Sequence, residues 1–128
     1  MSAYRRLLIV AAAIVAPAVC AAAQAPDVEN GKTAFNTMCA VCHSVTDAGG
    51  PIEGPNLLGL VGREAGSEPG FHQYTDALKA SKITWGAETL DRFLTNPAAN
   101  VPGTSMPIQI SEDKTRADVI AYLATLKR

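Results

Sequence analysis

The run Cys39-Ala40-Val41-Cys42-His43 constrains this chain more than any other feature. Two thiols three positions apart near a helix end can both reach one edge of a flat macrocycle. The residue after them then sets an imidazole beneath the ring centre. This is the attachment pattern of haem c, in which the thiols take up the vinyl groups and His43 binds the iron. The two thioether bonds would hold that imidazole at the metal at high effective concentration.

Three other uses of the two cysteines fit less well. A redox Cys-x-x-Cys pair expects a thioredoxin-like βαβ pattern, and no strand alternation precedes or follows the motif. A structural zinc needs four ligands. Beyond the leader the chain offers Cys39, Cys42, His43 and His72, with His43 too close to Cys42 for an easy tetrahedron. A plain disulfide would leave His43 unexplained.

The first residues read as a leader. Tyr4-Arg5-Arg6 is followed by the apolar run Leu7 to Val19 and by Ala21-Ala22-Ala23. Charged, apolar and small segments in that order make a secretory signal peptide. The run is shorter than the roughly 20 residues that span a membrane. Residues 1–23 are therefore expected to be removed, taking Cys20 with them, and residues 24–128 to form one domain without stable membrane insertion. The export route points to the periplasm. Removing the leader takes Arg5 and Arg6 and no acid, so 11 basic against 12 acidic side chains become 9 against 12. That balance of −3 argues against nucleic acid, where phosphate neutralisation dominates binding.

Four segments carry helical signals. Asp27 can cap a helix through about Ala40, with Val28, Gly31, Ala34, Phe35 and Met38 near the 3.6 period. Thr75 can cap a short helix to Lys79. Thr84 can cap another, with Trp85, Leu90, Phe93 and Leu94 apolar and Asn96-Pro97 as its stop. Ser111 can cap the last, with Val119, Ile120, Leu123 and Leu126 on one face. Its acidic start and Lys127-Arg128 end suit the helix dipole. Val45 to Gly70 and Pro97 to Ile110 are long Gly- and Pro-bearing stretches, unusual in a small domain unless something holds them. The expected fold is all-α: three main helices plus one or two short ones, with loops wrapped round a cofactor.

His43 supplies one axial ligand, and Met106 is the candidate for the other. Met38 sits beside Cys39, on the attachment side of the ring. His72 lies in a polar loop and reads as a surface residue. Met106 follows His43 by 63 positions, in a loop braced by Pro102, Gly103 and Pro107. A thioether ligand favours Fe(II) and raises the potential.

These residues together resemble a mitochondrial-type class I cytochrome c. The matching stretches are Gly31 to His43, Gly54-Pro55-Asn56-Leu57-Leu58-Gly59-Leu60-Val61-Gly62-Arg63, and Gly70 to Ala77. Ile83-Thr84-Trp85, Asn96-Pro97, Pro102 to Pro107 and Asp118 to Leu123 complete them. The resemblance implies that the Pro55 carbonyl accepts the His43 Nδ1 proton, and that Arg63, Tyr74 and Trp85 surround a buried haem propionate. It counts Thr104 among the cofactor contacts as well. It also implies that Gly31 and Phe35 meet Val119 and Tyr122 where the first and last helices cross.

Departures from that pattern matter. Phe93 stands where the family has a tyrosine near the ligating sulfur. Met38, Ala98, Ala99 and Ser105 replace lysines around the haem edge, and Ile108 replaces an aromatic. A docking face guided by a lysine ring is thus not carried over. The expected function is a soluble, monomeric single-electron carrier between a redox donor and acceptor, and not an enzyme. An open-iron haem module, peroxidase-like or gas-binding, is the rival. A dedicated electron-accepting subunit of one dehydrogenase is a further possibility.

Overall fold

The computed structural model describes residues 24–128; the expected leader, including Cys20, lies outside the described residues. Five helices follow in order: α1 (Val28–Met38), α2 (Asp76–Ala80), α3 (Ala87–Thr95), α4 (Pro97–Asn100) and α5 (Asp113–Thr125). Among the described residues the β-structure is a single isolated bridge between Glu64 and Thr84. The all-α expectation therefore holds.

The first and last helices cross at the centre. Gly31 makes the crossing possible, because a Cβ there would stand 1.9 Å from the Asp118 carbonyl oxygen and 3.0 Å from the Tyr122 Cβ. Phe35 packs its ring 5.5 Å from that of Tyr122, and Phe35 and Val119 are each 1% exposed. A polar bond locks the same crossing. Asp27 caps α1 through its side chain, and its own N–H donates to Asp118 Oδ1 at 2.6 Å. Lys114 Nζ donates to both Asp118 oxygens, at 2.6 and 2.7 Å.

Arg116, 7% exposed, joins α5 to α3. Its Nε donates to Asp91 Oδ1 at 2.7 Å, its Nη1 to the Ile110 carbonyl at 2.9 Å and its Nη2 to Asp113 Oδ1 at 2.8 Å. A buried guanidinium costs free energy unless its donors are matched in this way.

Two helix starts differ from the sequence expectation, and α4 lies within the stretch Pro97 to Ile110 that was expected to be loop. Thr84 does not cap α3, because its backbone lies in the bridge to Glu64. The helix starts after Gly86, whose N–H donates to Thr89 Oγ1 at 2.8 Å, and Trp85 lies before it. Ser111 does not cap α5; the Glu112 carboxylate accepts from Lys114 and Thr115 N–H instead. A charged acceptor bonds a helix N-terminus more strongly than a hydroxyl. Asn96-Pro97 ends α3 and also starts α4, with Asn96 Oδ1 accepting from Ala99 N–H at 3.0 Å.

The long loops are fastened by backbone and side chains. Asn56, 5% exposed, donates to the Thr46 and Gly49 carbonyls at 2.8 and 2.7 Å and accepts from Leu58 N–H at 2.8 Å. A neck of three bonds ties residues 62–65 to 83–85. These are Gly62 N to Trp85 O at 2.7 Å, Trp85 N to Arg63 O at 2.9 Å and Ala65 N to Ile83 O at 2.7 Å.

Candidate functional site

The helices and loops enclose a cavity of about 620 Å³, within the size range of small-molecule sites. All nine residues singled out from the sequence line it: Cys39, Cys42, His43, Pro55, Arg63, Tyr74, Trp85, Thr104 and Met106. Phe35, Leu60, Leu90, Phe93, Val119 and Leu123 supply much of the apolar wall. The site is thus the hollow face of the α1–α5–α3 core, closed by loops.

The motif occupies the turn that follows α1. Cys39 is the C-cap, its N–H donating to the Phe35 carbonyl at 2.8 Å. The Cys39 carbonyl then accepts from Cys42 N–H at 3.0 Å and His43 N–H at 2.9 Å. This tight return brings two unbridged thiols and the imidazole to one cavity wall. Cys39 is 7% exposed. Burial, with a smaller push from Cys42, raises its thiol to about 11, so it stays protonated.

His43 is oriented from behind. Its Nδ1 lies 2.8 Å from the Pro55 carbonyl oxygen. A carbonyl only accepts, so Nδ1 carries the proton and Nε2 keeps its lone pair. Burial lowers the imidazole below its ordinary value, against an opposing effect of the Pro55 bond, and so favours the neutral ring that a metal needs. Gly54 is required behind it. A Cβ there would stand 2.4 Å from His43 Cε1 and 2.7 Å from Nδ1.

Met106 enters from the loop after α4. Gly103 takes φ +95°, a conformation that favours glycine. Thr104 N–H donates to the Val101 carbonyl at 3.0 Å, and Met106 N–H to Thr104 Oγ1 at 3.4 Å. Met38 also lines the cavity, at the end of α1, whereas His72 is exposed.

Arg63 has partners that the sequence does not reveal. Its Nη1 donates to the Leu58 carbonyl at 3.3 Å and to Glu68, and its Nη2 to the Asn56 carbonyl at 2.8 Å. Burial lowers its value, with Glu68 opposing, and the guanidinium remains charged. Tyr74 accepts from Glu68 N–H at 3.3 Å, and burial raises its phenol. Trp85 packs against Phe93 with ring centroids 5.0 Å apart and the planes tilted by 59°. Glu68, Asn56 and Gly54 were therefore missed as site supports. The Gly54-Pro55-Asn56 run hinted at Gly54 and Asn56, and nothing hinted at Glu68.

The cytochrome c family model matches residues 28–127. The chain is 44% identical to a cytochrome c2 of Rhodomicrobium vannielii over 121 residues, which is 94% of either chain. It is 43% identical to a cytochrome c of Sesamum indicum over 103 residues, 78% of this chain and 92% of the relative. It is also 43% identical to a cytochrome c of Chlamydomonas reinhardtii over 104 residues, 80% and 92% of the two chains.

Proposed function

The chain belongs to the cytochrome c family, and from that premise we propose that it is a secreted one-electron carrier whose iron is held between His43 and Met106. As a class I c-type cytochrome it takes haem c, attached covalently, and acts with redox partners. The residues present fit that cofactor. Two thiols, an imidazole with a free Nε2 and a thioether share one largely apolar cavity, and Gly54 gives up a side chain to seat the imidazole. Cys39 and Cys42 would carry the thioethers, and His43 and Met106 the axial bonds. Arg63, Tyr74, Trp85 and Thr104 would take the polar edge. The haem supplies a one-electron Fe(III)/Fe(II) couple.

The chain's own residues do the rest. Pro55 fixes the ring and proton of His43. The Gly103 loop holds a soft, uncharged sulfur that favours the reduced state. The apolar wall keeps water from the metal. His43 and Met106 would together hold the iron and leave no side-chain-free position for a substrate, which supports electron carriage rather than catalysis. Val41, 71% exposed, lies in the attachment turn, and Ile52, 54% exposed, lies in the loop whose Gly54 N–H donates to the Cys42 carbonyl. Exposed apolar side chains of this kind would suit contact with a donor or acceptor, in keeping with the absent lysines. Residues 1–23 would direct export and be cleaved, leaving a periplasmic monomer.

The observation that carries this reading is the placement of the oriented His43 and of Met106 on one cavity. The visible spectrum of the oxidised holoprotein tests it. A weak far-red sulfur-to-iron band, lost in Met106→Ala together with a fall in potential, is expected. A high-spin spectrum of the unmutated protein at neutral pH, with rapid carbon monoxide binding, would favour the open-iron rival. Haem staining on a denaturing gel, with the mass of the exported chain, reads attachment and cleavage together.

A further inference from the structure

Glu68 is a buried charge that neither the attachment motif nor the axial ligands require. Its side chain is 5% exposed and sits between two guanidiniums. Arg63 Nη1 donates to Oε2; Arg128 Nη1 donates to the same oxygen at 3.0 Å and its Nη2 to Oε1. Arg63 and Tyr74 line the cavity, while Glu68 stands behind them and is bonded to both. Arg128 is thus linked through one carboxylate to the cavity wall. Asp47 acts on Arg128 from the neighbouring loop.

We propose that Glu68 and Arg128 set the charge that the Arg63–Tyr74 wall presents to the haem, and thereby tune its potential from opposite sides. The inference rests on the haem reading above. Oxidised iron carries one more positive charge than reduced iron. A nearby carboxylate therefore favours the oxidised state and a nearby cation the reduced state, most strongly where water is excluded. Glu68 offsets Arg63, and Arg128 in turn offsets Glu68. Arg128 has a side chain 43% exposed and is screened by solvent, so its influence is the smaller and the more salt-sensitive.

A purely mechanical role predicts something different. If the three groups only fasten the C-terminus to the 62–74 loop, removing either end of the fastening loosens the same contact and moves the potential in the same direction. The electrostatic role predicts opposite signs. Potentiometric titration of the holoprotein at fixed pH should show the reduction equilibrium constant rising severalfold in Glu68→Gln. It should fall by a smaller factor in Arg128→Gln, and that fall should shrink at high salt. Arg128→Lys, which keeps the charge, should stay near the unmutated value, and so should Glu68→Asp. Shifts of the same sign in the two glutamine variants, or no shift in either, would overturn the proposal. If Glu68→Gln does not mature, the Arg128→Gln and Arg128→Lys pair decides it: a fall in the first alone supports the tuning role, and equal values refute it. An unmutated protein with no one-electron couple would bring down the haem reading itself, a result distinct from an unshifted couple.

Discussion

At the scale of single residues, the site depends on what stands behind the ligands. Gly54 shows this most sharply, because any Cβ there must displace the His43 ring. Gly54→Ala should keep its covalent haem on a denaturing gel, yet lose the low-spin visible spectrum or shift its potential downward. Retention of both would mean that the ring has more room than its contacts allow. Cys39, Cys42, His43 and Met106, which line one cavity, stood out as candidates because the proposed chemistry dictates spacing and residue type. Glu68 was not. A glutamate in a Gly- and Pro-bearing loop reads as solvated, and its partners lie five positions before it and 60 after it. Nothing local in the chain signals that such a carboxylate is buried.

At the scale of elements, the α1–α5 crossing carries two tests. Gly31→Ala would press a methyl into the Asp118 carbonyl, a backbone group that cannot swing aside. A loss of about 1–3 kcal/mol or more is expected in urea unfolding. Asp118 gives the pH test. The Lys114 hydrogen bond first, and the Asp27 N–H second, hold its carboxyl below the ordinary range. The unfolded group titrates near 3.9, so the stabilisation is fully present above that value and is lost as pH falls through the lower folded value. The thermal midpoint should drop as the pH falls below about 4, and more gently in Asp118→Asn, which starts from a lower midpoint at neutral pH. Four of the five helices were readable from periodicity and caps; α4, a four-residue helix inside an expected loop, was not. Helix starts failed where a competing partner took the backbone: the bridge claimed Thr84, and the stronger acceptor Glu112 displaced Ser111.

At the scale of the whole molecule, the cavity decides whether the chain folds alone. Its about 620 Å³, lined largely by apolar side chains, leaves those side chains without packing partners unless an apolar group fills it, and unmade core contacts are costly. Typical domains have only about 5–15 kcal/mol of stability in total. A Cys39→Ala, Cys42→Ala chain made without haem should therefore lack native helical circular dichroism. A native-like spectrum would show that the protein core suffices. The sequence indicated this dependence through long loops with too few helices to hold them. It did not indicate that Asn56, Arg63 and Arg116 would share the work, because their acceptors are backbone carbonyls and carboxylates brought near only by folding.

The neck between residues 62–65 and 83–85 works as a clasp. The seventeen residues it encloses, 66–82, include α2 and part of the cavity wall; the three bonds close the base of this segment, and Glu68 within it is tied to Arg63 and Arg128. Undoing the clasp together with the Glu68 ion pairs would swing out one panel of the wall while the crossed terminal helices stay shut. Amide exchange in the folded protein should accordingly show α2 trading its hydrogens as a unit, well before α1 and α5 do. The cofactor would then be bared to solvent on one side only, through a shutter that closes again without the chain unfolding.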